Sequence, residues 1–212
     1  MSNNSAVNII RGTFLFALFY VVVRYHIVGQ VSWSSFPLFI FNKAIALASF
    51  ILLSFNFSFS PMKNIGIKIP QRWLDARNIL GMVGFLLVVI HVFMSFLLFN
   101  SSIYSKFFQD DGSLTLLAGI SMLGGILAFV SLWTYNMSFQ THLRDDKKFI
   151  EFITSRKIML ISLSFGAIHL FMMGYKGWLT PLDWHGGIPP VSLLAFLFFI
   201  IGYGANLLGR AK

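Results

Sequence analysis

Five histidines and no cysteine bound the metal and redox chemistry open to this 212-residue chain. Without thiols it builds no disulfide, no iron–sulfur cluster and no covalent c-type haem attachment, which needs C-x-x-C-H. Two of the histidines stand in almost wholly apolar runs. His91 interrupts "RNILGMVGFLLVVIHVFMSFLLF" (77–99) and His169 interrupts "RKIMLISLSFGAIHLFMMGYKGW" (156–178). His91 comes 14 residues after Arg77, and His169 comes 12 residues after Lys157. On two helices running the same way, at about 1.5 Å per residue, both rings lie ~18–21 Å from the same boundary. Two imidazoles at one depth on different helices can clamp one metal from opposite sides. On the two axial positions of a haem iron they leave no open site, so such a haem b passes electrons rather than activating oxygen at the metal. A lone intramembrane histidine also serves as a helix–helix hydrogen-bond partner. The matched depth is what favours the metal reading, since intramembrane ionisable groups are functional candidates by default.

The elements that must hold these rings are membrane helices. The chain is 57% hydrophobic and 11% charged, against about 25% charged in soluble domains, and its mean hydropathy is +0.77. Spans of about 20 apolar residues fall at 9–29, 37–59, 78–99, 113–137, 157–177 and 189–209. The expected fold is an all-α integral membrane protein, a six-transmembrane-helix bundle forming one domain over 1–212. The first span has no small-residue cleavage site after "VVVRYHIVGQ" and reads as uncleaved. Twelve of the sixteen Lys and Arg residues fall on one side of these spans, among them Lys63, Arg72, Arg77, Lys147, Lys148, Arg156 and Lys157. The positive-inside rule then makes both termini cytoplasmic. The net charge of +9 expresses that orientation. No aromatic–basic motif accompanies it, so nucleic acid is not a partner. No connection between spans has room for a nucleotide-binding domain, so a redox role would draw its electrons from another chain or a small carrier.

Several further residues are candidates. Gly81 and Gly84 share a face with His91, Gly166 precedes His169 by three, and "AGISMLGGILA" is glycine-rich. Such glycines let helices pack closely, or leave room for a flat macrocycle. Arg24 and Lys43 lie inside spans one and two near the outer face. They either snorkel to headgroups or pair with haem propionates, with His26 beside them. Trp178 and Trp184 read as interface anchors. His185 with Asp183 is a candidate metal-ion substrate site or a solvated loop, and Asp110 and Asp111 in "FFQDDGS" read as a turn and cap. His142 reads as a solvated side chain. No serine–histidine–acid triad, phosphate loop or intramembrane carboxylate pair can be assembled, which leaves hydrolysis without support.

"RNILGMVGFLLVVIH" fits the pattern R-x3-G-x3-F-x5-H and resembles the ferric reductase-like transmembrane family. "FITSRKIMLISLSFGAIHLFMMGYKGW", with G-x2-H and a tryptophan nine residues on, is similar to the fifth span of the STEAP metalloreductases. "FNKAIALASFILLSFNFSFSP" resembles the second span of the haem-binding membrane subunit of the bacterial methionine sulfoxide reductase system. The resemblance implies His91 and His169 as axial ligands of haem iron. Many members carry a second histidine 13–14 residues before each outer one. Here those positions are Arg77 and Arg156, which implies a single haem in the outer half. In the STEAP type the space nearer the cytoplasm accommodates a flavin. Arg77 and Arg156 would then meet the phosphate of FAD or FMN, although plain positive-inside topology accounts for them equally. The chain departs from that type in lacking its cytosolic nicotinamide-dependent domain, and "KKFIEFITSRK" matches its loop only loosely.

The resulting expectation is a multi-pass protein of the bacterial inner membrane, a cytochrome b-like oxidoreductase component with one bis-histidine haem b. It would take electrons from a cytoplasmic flavin, flavoprotein or NAD(P)H reductase. It would deliver them to a metal ion, oxygen or periplasmic redox partner on the outer face. Its other contacts are membrane lipid and, as an open option, further copies of itself. A second reading is a quinol-linked haem anchor of a periplasmic reductase. A third, from another class, is a haem-free transporter or scaffold in which the histidines merely pack.

Overall fold

The computed structural model describes residues 4–138 and 146–209, and every regular element among them is helical apart from one isolated β-bridge between Phe108 and Leu114. Helix α1 (Asn4–Val21) continues as a π-helix over Val22–Val28. A 3-10 turn (Trp33–Ser35) and a second π-helix (Phe36–Ile40) lead into α2 (Phe41–Asn64). Then follow α3 (Gln71–Leu98), α4 (Leu116–Met137), the short α5 (Lys147–Ile153), α6 (Arg156–Trp178) and α7 (Val191–Leu208). Six segments are long and apolar enough to cross a membrane: Asn4–Val28, Trp33–Asn64, Gln71–Leu98, Leu116–Met137, Lys147–Trp178 and His185–Leu208. The protein is an all-α, six-span, multi-pass membrane protein, and its apolar outer face is consistent with lipid contact. His142 lies outside the described residues.

Local chemistry sets the boundaries. Pro70, which cannot continue a preceding helix, stands immediately before α3, and Pro190 stands immediately before α7. The side chains of Thr115, Asp146 and Ser155 accept from the amides of Ala118, Phe149 and Ile158 and so cap α4, α5 and α6. The expected turn in "FFQDDGS" forms: Asp111 Oδ1 accepts from Ser113 N at 2.9 Å, and Gly112 takes φ +82°. Hydrogen bonding from the Ser113 side chain first, and from its backbone amide second, holds the Asp111 carboxyl below the usual carboxylate range.

Helix α2 is the central post. In its most apolar stretch 61% of residues are buried, against 17% for α3. It packs against α1, α3 and α7, while α6 packs on α4 and α7. Small residues on α2 allow this close approach. Ala44 and Ala48 join Leu47 and Ile51 against Ala17 and Val21 of α1 and Ala195 of α7. The two histidine-bearing helices therefore find their main packing partners elsewhere in the bundle. Helix α3 leans on α2, α6 leans on α4, and α3 touches α4 only slightly.

Candidate functional site

His91 projects from α3 onto the start of α2. Its Nδ1 lies 2.8 Å from Asn42 Oδ1, while Asn42 Nδ2 donates to Ser95 Oγ at 3.0 Å. Ser95, one turn beyond His91 on α3, comes within 3.5 Å of the same Nδ1. The Asn42 amide is oriented by its donation to Ser95, so its oxygen must accept. The His91 proton is thereby assigned to Nδ1, and the lone pair to Nε2.

His169 projects from α6 against α4. Its Nδ1 lies 2.9 Å from the Ser121 carbonyl oxygen and 3.2 Å from Ser121 Oγ, and that hydroxyl donates to the His169 carbonyl at 3.0 Å. A carbonyl only accepts, so here too the proton belongs on Nδ1 and the lone pair on Nε2. This approach needs glycine. A Cβ at Gly125 would fall 2.9 Å from His169 Nδ1, and one at Gly124 would fall 3.1 Å from the His169 amide nitrogen.

The two seats share one logic. Each imidazole is anchored through Nδ1 to an acceptor, and neither Nε2 has a hydrogen-bond partner or is sealed in by protein among the described residues. Each ring is half-buried. Anchoring of one ring nitrogen by a backbone or side-chain oxygen is the arrangement that orients metal-ligating histidines. The donor set fits a bis-histidine haem. Among the described residues no three of His, Cys, Asp and Glu converge as a metal-ion site.

The neighbouring glycines make no room for a macrocycle. A Cβ at Gly81 would meet Asn56 Nδ2 at 2.7 Å, one at Gly84 would meet Leu53 Cγ at 3.1 Å, and one at Gly166 would meet Phe50 Cζ at 3.3 Å. Side chains of α2 occupy all three places. These glycines bring helices together rather than leaving room for a flat group.

Arg77 and Arg156, far apart in sequence, line one cavity of about 250 Å³ together with Ser60, Asn64, Thr154 and Asn206. Arg77 Nε donates to the Asn56 carbonyl at 2.8 Å and Nη1 donates to Ser60 Oγ, while Arg156 Nη2 donates to the Asn206 carbonyl. Neither arginine is ion-paired among the described residues, and each keeps donors to spare. Arg72, on the same side by sequence, does not join this cavity. Arg72 borders a separate cleft of about 260 Å³ with Ser5, Asn8, Ile9 and Trp73.

At the opposite end, Arg24 is buried and does not snorkel. Its Nε donates to the carbonyl of Pro189 at 2.8 Å and leans on that of Ile188 at 3.3 Å, which ties α1 to the loop before α7. Lys43 is half-buried, its Nζ 4.4 Å from the Phe39 ring centre and 5.4 Å from that of Tyr25. Tyr25 also takes the Arg24 guanidinium at 4.9 Å and the edge of the exposed His185 ring at 6.1 Å. His185 and Asp183 are both exposed, and no ion pair joins them among the described residues. His26 bonds the Val31 carbonyl through Nδ1 and stacks on Trp33 at 4.1 Å. Trp178 is more than an interface anchor, because its Nε1 donates to Ser192 Oγ at 3.0 Å and fastens α6 to α7.

Asn42, Ser95 and Ser121 are the site residues that sequence reading missed. The available signal was their polarity within apolar spans at the depth of the histidines. Comparison with known proteins adds no relative: no family model matches the chain, and no curated protein matches it.

Proposed function

We propose that the protein carries electrons across the membrane through one haem b held by His91 and His169. The observation that carries this reading is the pairing of two imidazoles, each anchored at Nδ1 and each free at Nε2, on helices whose main packing partners lie elsewhere in the bundle. Bound there, the haem would supply a one-electron carrier without an open metal site. The protein's own contribution is to orient both rings. Asn42 and Ser121 keep both rings in the tautomer that offers Nε2.

With both termini on the cytoplasmic side, as the positive-inside rule places them, the Arg77–Arg156 cavity faces the electron donor. Two unpaired guanidiniums suit a phosphate, in keeping with a donor flavin, FAD or FMN, or a flavoprotein docked there. The acceptor side is the end that carries Lys43 and His185. In this reading the chain is the membrane component of an oxidoreductase of the bacterial inner membrane.

The test is the absorption spectrum of the purified chain with a pyridine haemochrome assay. One low-spin, six-coordinate haem b per chain is expected. No haem, or two, overturns the reading, and no haem leaves the packing role of the histidines as the account. Arg77→Gln with Arg156→Gln should weaken FAD or FMN binding and leave the haem spectrum unchanged. If the unaltered chain binds neither flavin, the donor docks elsewhere.

A further inference from the structure

The first turns of α1 and α3 lie side by side at one end of the bundle. Ala6 of α1 and Ala76 and Leu80 of α3 share a buried cluster with Leu52 and Phe59 of α2. Beside that cluster the two helix ends enclose the cleft of about 260 Å³, lined by Ser5, Asn8 and Ile9 of α1 and by Arg72 and Trp73 of α3. A space of that size is more than one bridging water fills. Three polar side chains line it: the Arg72 guanidinium, the Ser5 hydroxyl and the Asn8 amide. Among the described residues none of the three has a side-chain hydrogen bond or an ion pair. The acid nearest in sequence is the exposed Asp75, one turn on from Arg72. It accepts from Gln71 Nε2 at 3.0 Å, and Gln71 Oε1 accepts from Lys63 Nζ at 3.4 Å. Asp75 is thus engaged by Gln71 and not by Arg72, and Lys63 brings a second positive charge to the same end.

The depth of the cleft narrows what could fill it. Two of the segments able to cross a membrane, Asn4–Val28 and Gln71–Leu98, begin here, which puts the cleft at the level of lipid headgroups. Trp73 suits that level. Its ring stacks on Phe59 at 5.6 Å and remains 36% exposed, and tryptophan is enriched where membrane meets water. Further along α3, Ile79, Met82 and Leu86 present an exposed apolar face. We propose that this cleft binds the headgroup of an anionic phospholipid. The planar Arg72 fork takes the phosphate, Ser5 and Asn8 bond its remaining oxygens and glycerol, and the acyl chains follow Ile79, Met82 and Leu86. Arg72 and Lys63, with Arg11 and Lys68 exposed nearby in sequence, outnumber Asp75, so a lipid with net negative charge is favoured over a zwitterionic one. A soluble phosphate ester shares the headgroup chemistry but has no use for the apolar face. The site is separate from the Arg77–Arg156 cavity and needs neither haem nor flavin.

The experiment is native mass spectrometry of the full chain in a neutral detergent, which gives the dissociation constant of the first bound lipid. The probes are phosphatidylglycerol, phosphatidylcholine and glycerol 3-phosphate. The variants are Arg72→Gln, Arg72→Lys, Asn8→Ala and Arg11→Gln, with helical content checked by circular dichroism. Arg11→Gln removes the same charge from the same end without touching the cleft lining. Wild type should bind phosphatidylglycerol more tightly than phosphatidylcholine, and both more tightly than glycerol 3-phosphate. Arg72→Gln should weaken phosphatidylglycerol binding about tenfold, the loss expected of a charge-assisted contact. Arg72→Lys keeps the charge without the fork and should fall between. Asn8→Ala should weaken binding severalfold, and Arg11→Gln less than either. Equal losses in Arg72→Gln and Arg11→Gln would mean that diffuse charge alone attracts the lipid, and would overturn the proposal, as would no loss in Arg72→Gln. Equal binding of the two lipids by wild type overturns the assignment to an anionic lipid. Glycerol 3-phosphate binding as tightly as phosphatidylglycerol would make the ligand a soluble phosphate ester and overturn the assignment to a lipid. If Arg72→Gln does not fold, Asn8→Ala set against Arg11→Gln makes the same comparison.

Discussion

His91 and His169 are both anchored through Nδ1, yet the protein holds them by different means. His91 rests on a side chain: Asn42 on α2 accepts its proton, and Ser95 on its own helix steadies the amide. His169 rests on the backbone: the Ser121 carbonyl accepts its proton, and two glycines bring α4 close enough for that carbonyl to reach. A side-chain seat can be edited one atom at a time. A backbone seat can be disturbed only by moving the helix that provides it. The first is open to tuning by substitution, and the second is set by packing.

The largest effects should come from removing the rings themselves. His91→Ala and His169→Ala should each abolish the low-spin six-coordinate spectrum, because six-coordination needs both ligands. If the rings only pack, each change would cost roughly 0.6 kcal/mol of interhelical hydrogen bonding and leave no spectral trace. A variant that loses one ring and stays six-coordinate would break the pairing of the two seats.

Next should come the backbone seat. Gly125→Ala places a Cβ 2.9 Å from His169 Nδ1, a distance that forces the ring or the helix to move. Haem affinity should fall about 10–100-fold, the range typical when the group that orients a metal-ligating histidine is disturbed. Gly119→Ala, on the same helix, meets nothing within 4 Å and should bind haem as wild type does. Equal behaviour of the two variants would show that α4 does not set the ring.

The side-chain seat should respond in a graded way. Asn42→Leu leaves the His91 Nδ1–H without its acceptor, a loss of about 1–3 kcal/mol for a buried polar group. In the haem-free chain, 15N NMR should show the His91 tautomer shifting toward Nε2–H. In the loaded chain the midpoint potential should shift. Asn42→Asp strengthens the acceptor and should keep the Nδ1–H tautomer while lowering the potential. An unchanged tautomer in Asn42→Leu would remove Asn42 from the site.

The smallest effect is expected from Ser121→Ala. The hydroxyl is lost but the carbonyl that holds His169 remains, so stability should fall by about 0.5–1.5 kcal/mol with the spectrum intact. A collapse of the spectrum in this variant would mean that the hydroxyl, and not the backbone, holds the ring. The contrast between the two seats would then disappear.

Much of this architecture was readable from the chain itself. Apolar runs of sufficient length determine the six spans, since in a bilayer the backbone of such runs can satisfy its hydrogen bonds only as helix. Residue counting placed His91 and His169 at one depth, because helical rise is uniform. It also marked Arg77 and Arg156 as a pair at one end, and the structure brings them to a single cavity. What counting cannot provide is azimuth, because lipid-facing and helix-facing positions are equally apolar in a membrane span. Only the tertiary structure decided that Gly81, Gly84 and Gly166 are filled by α2, that Arg24 turns inward onto the carbonyls of Ile188 and Pro189, and that Asn42 and Ser121 are the anchors. Each of these depends on which faces of two helices meet, and that is settled by packing between segments distant in sequence.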